Sequence, residues 1–152
     1  MLREKITDAM KVAMKSQDKL RLSTLRLALS AITNAEIDAR SGSGPLTDDD
    51  ILGLLQKMVK QRQESADLYE KGGRKELADQ ERGEIEIIRD FLPQQMAEAE
   101  AKAAIAEVIA ETGAQGIKDM GKVMAALKLA YAGKMDFGKA SGLVKGLLAG
   151  AG

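Results

Sequence analysis

Residues 18–40 read DKLRLSTLRLALSAITNAEIDAR, and the spacing of their apolar side chains decides the fold. Leu22, Leu25, Leu29, Ile32 and Glu36 alternate steps of three and four, which stacks side chains on one face of an α-helix. Leu20, Leu27 and Ala31 add a second apolar strip, so this helix is expected to be the central, most buried one of its bundle. Arg21 and Arg26 flank the strips, and an inward guanidinium there requires a carboxylate partner. Upstream, Leu2, Ile6, Ala9, Met10 and Ala13 repeat the spacing in a first helix that ends near Ser16 to Asp18. Lys11, Lys15 and Lys19 lie four apart on its outer side, the pattern of a solvated face.

Downstream, Ser41-Gly42-Ser43-Gly44-Pro45 reads as a flexible break before Thr47, the N-cap of a third helix. Asp48, Asp49 and Asp50 then favour the positive end of the helix dipole and lack the alternating ligand spacing of a calcium loop. Ile51, Leu55, Met58 and Tyr69 mark its buried side, and Lys71-Gly72-Gly73 ends it. A fourth helix turns Leu77, Ile85, Ile88 and Leu92 inward. Its six acids, Glu76, Asp79, Glu81, Glu84, Glu86 and Asp90, interleave with Arg74, Lys75, Arg82 and Arg89 as on a salt-bridged exposed face. Pro93 follows as the domain boundary, because proline disfavours helix at the residue before it. The sequence therefore predicts an all-α protein, with an N-terminal domain of about four helices over 1–93 and a small three-helix module over 94–152.

Composition removes whole classes of chemistry. The chain has no cysteine and no histidine, so disulfides, thiol catalysis, triad hydrolysis and zinc sites are not expected. No catalytic residue, metal ligand or cofactor site is predicted. The 23 basic and 23 acidic residues cancel, so any affinity for nucleic acid has to come from a local patch. Met1-Leu2-Arg3-Glu4-Lys5 opens an amphipathic helix and not a signal-peptide core, and no apolar run reaches the roughly 18–20 residues of a membrane span. A soluble cytoplasmic protein with no membrane partner is expected.

The local patch lies at the C-terminal end. The first helix of the module covers about Glu98 to Glu111 and stops at Gly113. The tetrapeptide Asp119-Met120-Gly121-Lys122 then returns as Asp136-Phe137-Gly138-Lys139, each copy opening an apolar stretch of helical period with Asp as its expected cap. The first stretch places Met120, Val123, Met124, Leu127 and Tyr131 on one face. The second turns Ala140, Leu143, Val144, Leu147 and Leu148 inward.

From Gly116 onward, Lys118, Lys122, Lys128, Lys134, Lys139 and Lys145 face only Asp119 and Asp136, a net charge of +4. Opposite the last apolar face, Gly138, Gly142 and Gly146 form a stripe almost without side chains, flanked by Lys139 and Lys145. Interior glycine costs roughly 0.5–1 kcal/mol relative to alanine, so the stripe calls for a reason. Three stand open: close approach of a phosphate backbone, docking of a partner helix, or a frayed chain end. The only aromatics are Tyr69, Phe91, Tyr131 and Phe137, so recognition of folded RNA by backbone and shape fits better than base stacking on rings.

Phe91-Leu92-Pro93-Gln94-Gln95, Glu111-Thr112-Gly113-Ala114 and Lys118-Asp119-Met120-Gly121-Lys122-Val123-Met124 carry a family likeness, as do Thr24-Leu25-Arg26 and Asn34-Ala35-Glu36-Ile37-Asp38. They resemble the GatB/YqeY family in its stand-alone YqeY-like branch, over essentially the whole chain. The resemblance implies a helical domain followed by a module similar to the C-terminal tail of the B subunit of the glutamyl/aspartyl-tRNA amidotransferase, which helps hold tRNA. It also implies an amidotransferase-related label, a carbon–nitrogen ligase with glutamine as amido-N-donor. The chain shows no phosphate-binding glycine loop and no serine-lysine amidase constellation. The expected partner is tRNA or a tRNA-handling complex, with no DNA specificity. The expected contacts are Lys118, Gly121, Lys122, Lys134, Lys139 and Lys145. The alternatives are an adaptor that docks a helix on the glycine face, and an amidotransferase accessory.

Overall fold

The computed structural model describes residues 1–40 and 46–151. Their regular structure is entirely helical: α1 (Leu2–Ser16), α2 (Lys19–Arg40), α3 (Asp48–Lys71), α4 (Lys75–Arg89), α5 (Glu98–Thr112), α6 (Met120–Ala130) and α7 (Phe137–Ala151), with one 3-10 turn at Ile117–Asp119. The chain forms two compact units, Met1–Pro93 and Gln94–Gly152. The expected break at 41–45, with Pro45, lies outside the described residues.

In the first unit α2 and α3 each touch the other three helices, while α1 and α4 pack on that pair. Leu2 and Ile6 of α1, Leu25, Ala28 and Ile32 of α2, Ile51, Leu55, Met58 and Val59 of α3, and Ile85 and Ile88 of α4 close the core. Local chemistry sets the helix ends. Gln17 adopts a left-handed conformation at φ 59°, the Asp18 N–H donates to the Ala13 carbonyl at 3.0 Å, and the Asp18 carboxylate accepts the Arg21 N–H at 3.1 Å. One residue thus closes α1 and opens α2. Thr47 and Asp50 exchange side chain–backbone bonds of 3.1 and 3.0 Å in a capping box, and Asp48 accepts the Leu2 N–H at 3.2 Å. Asp50 is thus engaged at the helix start itself, and Asp48 with the first backbone donor of α1.

In the first unit three expectations need correction. Leu27 is 50% exposed. It lies about 200° around the helix from Leu25, so it cannot share the core-facing side. Leu20 sits at the rim, where a Cβ on Gly83 of α4 would come within 3.1 Å of its Cδ2, so glycine lets α2 and α4 approach closely. Leu92 and Tyr69 are only half-buried, Leu92 because α4 ends at Arg89. Arg21 has the partner its position calls for, Asp90 at 3.0 Å.

The third correction concerns the acidic helix. Glu84 is buried, not solvated: its Oε2 accepts from Arg62 Nε at 3.1 Å across the α3–α4 contact, and Arg62 also donates to the Met58 carbonyl. The remaining pairs are surface ones, among them Arg3–Glu36, Arg82–Glu70 and Arg89–Glu86. Beside the buried pair, Glu81 has its pKa raised, first by burial and next by the neighbouring Glu84 charge, with Arg62 opposing.

In the second unit Ala104, Ile105 and Val108 of α5, Val123 and Leu127 of α6, Met135, and Ala140, Val144 and Leu148 of α7 form a separate core. Gly113, at φ 69°, ends α5 in the left-handed conformation that costs glycine least. Leu147 was expected inside. It is 45% exposed, because it falls about 60° from Val144 on the edge of the buried stripe.

Two predictions follow from the α3–α4 contact. Glu84→Ala strands the Arg62 guanidinium and lowers stability in urea denaturation by about 3 kcal/mol. Arg62→Met with Glu84→Leu stays within about 1 kcal/mol of the native chain; a double variant as unstable as the single one would contradict the assignment. For Glu81 the folded pKa lies above the unfolded one, so its ionisation opposes folding as pH rises through that window. Glu81→Gln is therefore expected to raise the thermal midpoint at pH 7, and the advantage should vanish below the ordinary glutamate pKa of about 4.3.

Candidate nucleic-acid interface

The second copy of the Asp-apolar-Gly-Lys motif is a helix start of the expected kind. Asp136 Oδ1 accepts the Gly138 N–H at 2.9 Å and the Lys139 N–H at 3.3 Å. The first copy is built differently. Asp119 ends the 3-10 turn, makes no side-chain bond into α6, and accepts the Gln115 N–H behind it at 2.9 Å. The 3-10 turn also supplies a backbone partner where α6 begins, since the Met120 N–H donates to the Ile117 carbonyl. The expected cap at Asp119 is thus replaced by a carboxylate that folds the preceding turn.

Before α7 the chain makes a tight turn through Gly133, at φ 75°. The Lys134 carbonyl accepts the Met96 N–H at 2.9 Å, and the Gly133 carbonyl accepts Gln95 Nε2 at 2.6 Å. Those two bonds tie the lead-in to α5 against the lead-in to α7. Between them opens a groove of about 620 Å³, lined by Gln95, Met96, Glu98 and Ala101 on one side and by Lys134, Met135, Asp136, Lys139, Ala140, Gly142 and Leu143 on the other.

The structure brings some of the expected contacts together and separates others. Lys134, Lys139 and Gly142 share the groove. Lys118, Gly121 and Lys122 are exposed at the start of α6, and Lys145 is exposed on α7; none of the four lines the groove. Gly138 and Gly146 are exposed with Gly142, and a Cβ at Gly142 or Gly146 would meet nothing within 4 Å. Among the described residues, no carboxylate stands within ion-pair distance of Lys118, Lys122, Lys134, Lys139 or Lys145. The groove's own acids are engaged, Asp136 as the cap and Glu98 with Lys102 at 3.5 Å. With Glu98 paired to Lys102, the groove keeps Lys134 and Lys139 beside the capping Asp136.

Sequence reasoning missed the apolar half of this site: Met96, Ala101, Met135 and Leu143. A signal was available in Gln94-Gln95 after Pro93, where Gln95 proves to be the side chain that fastens the groove.

The fold and site define an all-helical protein with an amphipathic, lysine-rimmed groove in its second unit. The chain belongs to the Yqey-like protein family, whose pattern matches residues 3–148. It is 36% identical over 104 residues to the mitochondrial protein "altered inheritance of mitochondria protein 41" of Lachancea thermotolerans, covering 67% of this chain and 54% of that one. The protein of the same name in Eremothecium gossypii is 35% identical over 99 residues, 64% of this chain and 53% of that one. An uncharacterized protein of Schizosaccharomyces pombe is 36% identical over 93 residues, 61% and 70% respectively. This chain thus spans about half the length of the two mitochondrial relatives. Among the described residues, no helix is long and apolar enough to cross a membrane.

The open space around Gly146 makes a direct test of the glycine stripe. Gly146→Ala is expected to raise stability by about 0.5–1 kcal/mol in urea denaturation, through helix propensity alone. Gly113→Ala, at a positive φ, should destabilise instead.

Proposed function

We propose that the protein binds tRNA through its second unit and serves tRNA metabolism without catalysing a reaction by itself. The observation that carries this reading is the set of exposed lysines that no described carboxylate neutralises, Lys118, Lys122, Lys134, Lys139 and Lys145. Unpaired ammonium groups keep their counterions, and releasing those counterions drives association with a phosphate backbone. Lysines distributed over the starts of α6 and α7, with no arginine fork among them, suit contact with the backbone of a folded RNA more than base-by-base readout. The likeness to the amidotransferase tail gives the same direction. In that setting the chain would hold tRNA as an accessory, while a partner enzyme transfers the amide nitrogen of glutamine.

Neutralising about four phosphates gives a log–log slope of affinity against salt of roughly −3 to −4. Filter binding of a total tRNA pool across a salt series should show that slope for the native chain. Lys122→Glu combined with Lys139→Glu should weaken binding by roughly tenfold or more and flatten the slope by about 2. Native affinity in the double variant would overturn the assignment.

A further inference from the structure

We infer that the groove between the lead-ins to α5 and α7 receives one unpaired nucleotide, its base on the apolar floor and its phosphate between Lys134 and Lys139. The inference deepens the RNA-binding reading and rests on it for the source of the nucleotide.

Four features support this occupant. The volume of about 620 Å³ falls in the range of pockets for small ligands, roughly 300–1,000 Å³, and suits a single flat unit with its sugar and phosphate better than a docked helix of several turns. The floor is fixed, since Met135 and Ala140 are 3% and 2% exposed and belong to the core of the unit. Thioethers make favourable contacts with aromatic rings, so the partly exposed Met96 offers a base a contact that needs no aromatic side chain.

The wall at Gly142 carries no side chain and leaves room for a ring beside the helix backbone. Charge then sets the orientation: among the described residues no carboxylate pairs with Lys134 or Lys139, while Asp136 caps the α7 amides and Glu98 pairs with Lys102. A neutral apolar ligand would leave both ammonium groups unanswered.

The test uses the full chain, amide-labelled for NMR, titrated separately with the four nucleoside 5′-monophosphates, ribose 5-phosphate and inorganic phosphate. The nucleotides should shift the Met96, Met135 and Leu143 amides saturably, at concentrations roughly tenfold lower than ribose 5-phosphate requires. Gly142→Phe, which fills the groove from a position where a Cβ meets nothing, should remove that difference with folding intact, and Lys134→Gln with Lys139→Gln should weaken every phosphate-bearing probe. Equal response to ribose 5-phosphate and nucleotides, or nucleotide shifts that survive Gly142→Phe, would overturn the inference.

Filter binding of tRNA separates the two readings. Loss of tRNA binding on reversing Lys122 and Lys139, with no loss in Gly142→Phe, leaves the RNA reading standing and sinks the groove. Selective nucleotide shifts in a chain that does not bind tRNA do the reverse.

Discussion

Both helical units are closed without a buried aromatic ring, and the rest of the architecture answers to that constraint. Aliphatic side chains fill the two cores, with small residues among them. Ala13, Ala28, Ala66 and Ala78 are buried in the first unit, and Ala104 and Ala140 in the second. Gly83 under Leu20 is the same device at its limit, since even a methyl group would crowd the contact. An aliphatic core leaves little tolerance for an unpaired polar group, which is why the one acid buried among the described residues, Glu84, is paired with Arg62.

Much of this was legible in the residues. Periodicity placed all seven helices, and the caps at Thr47 and Asp136 and the stop at Gly113 follow from side-chain chemistry that acts within a few residues. What the residues did not reveal depends on partners distant in the chain. Glu84 looks like its neighbours on α4 until α3 supplies Arg62, and Leu27 looks like Leu25 until the neighbouring helices choose a face. The groove is the clearest case, because its fastening bond joins Gln95 to Gly133 across 38 positions. Gln94-Gln95 is a local signal for one end of that bond, but nothing near it in the chain names Gly133 as the other.

The doubled tetrapeptide shows how far like sequence fixes like structure. Both copies place a lysine three residues after an aspartate at a helix start, yet one aspartate reaches forward to cap and the other reaches back to fold a 3-10 turn. The difference lies upstream. Gly116 precedes a turn that already supplies a backbone partner to the start of α6, whereas Met135, anchored in the core, brings the chain to α7 with its first amides still to be satisfied. The second copy stands beside the groove, which Asp136 and Lys139 line.

The fastening of the groove by Gln95 and Met96 has a thermodynamic corollary. Its two walls are far apart in the chain and are brought together by the bonds to Gly133 and Lys134 and by the core that α5 and α7 share, so the unfolded chain does not hold the binding surface together. Any occupant therefore binds the folded unit alone, and its binding free energy adds to that unit's stability as RT ln(1 + [L]/Kd). A unit of this size, with an aliphatic core and exposed glycines along its last helix, has little stability in reserve. Occupancy and folding of this unit are then one linked equilibrium, and the bare unit should be the state most open to proteolysis.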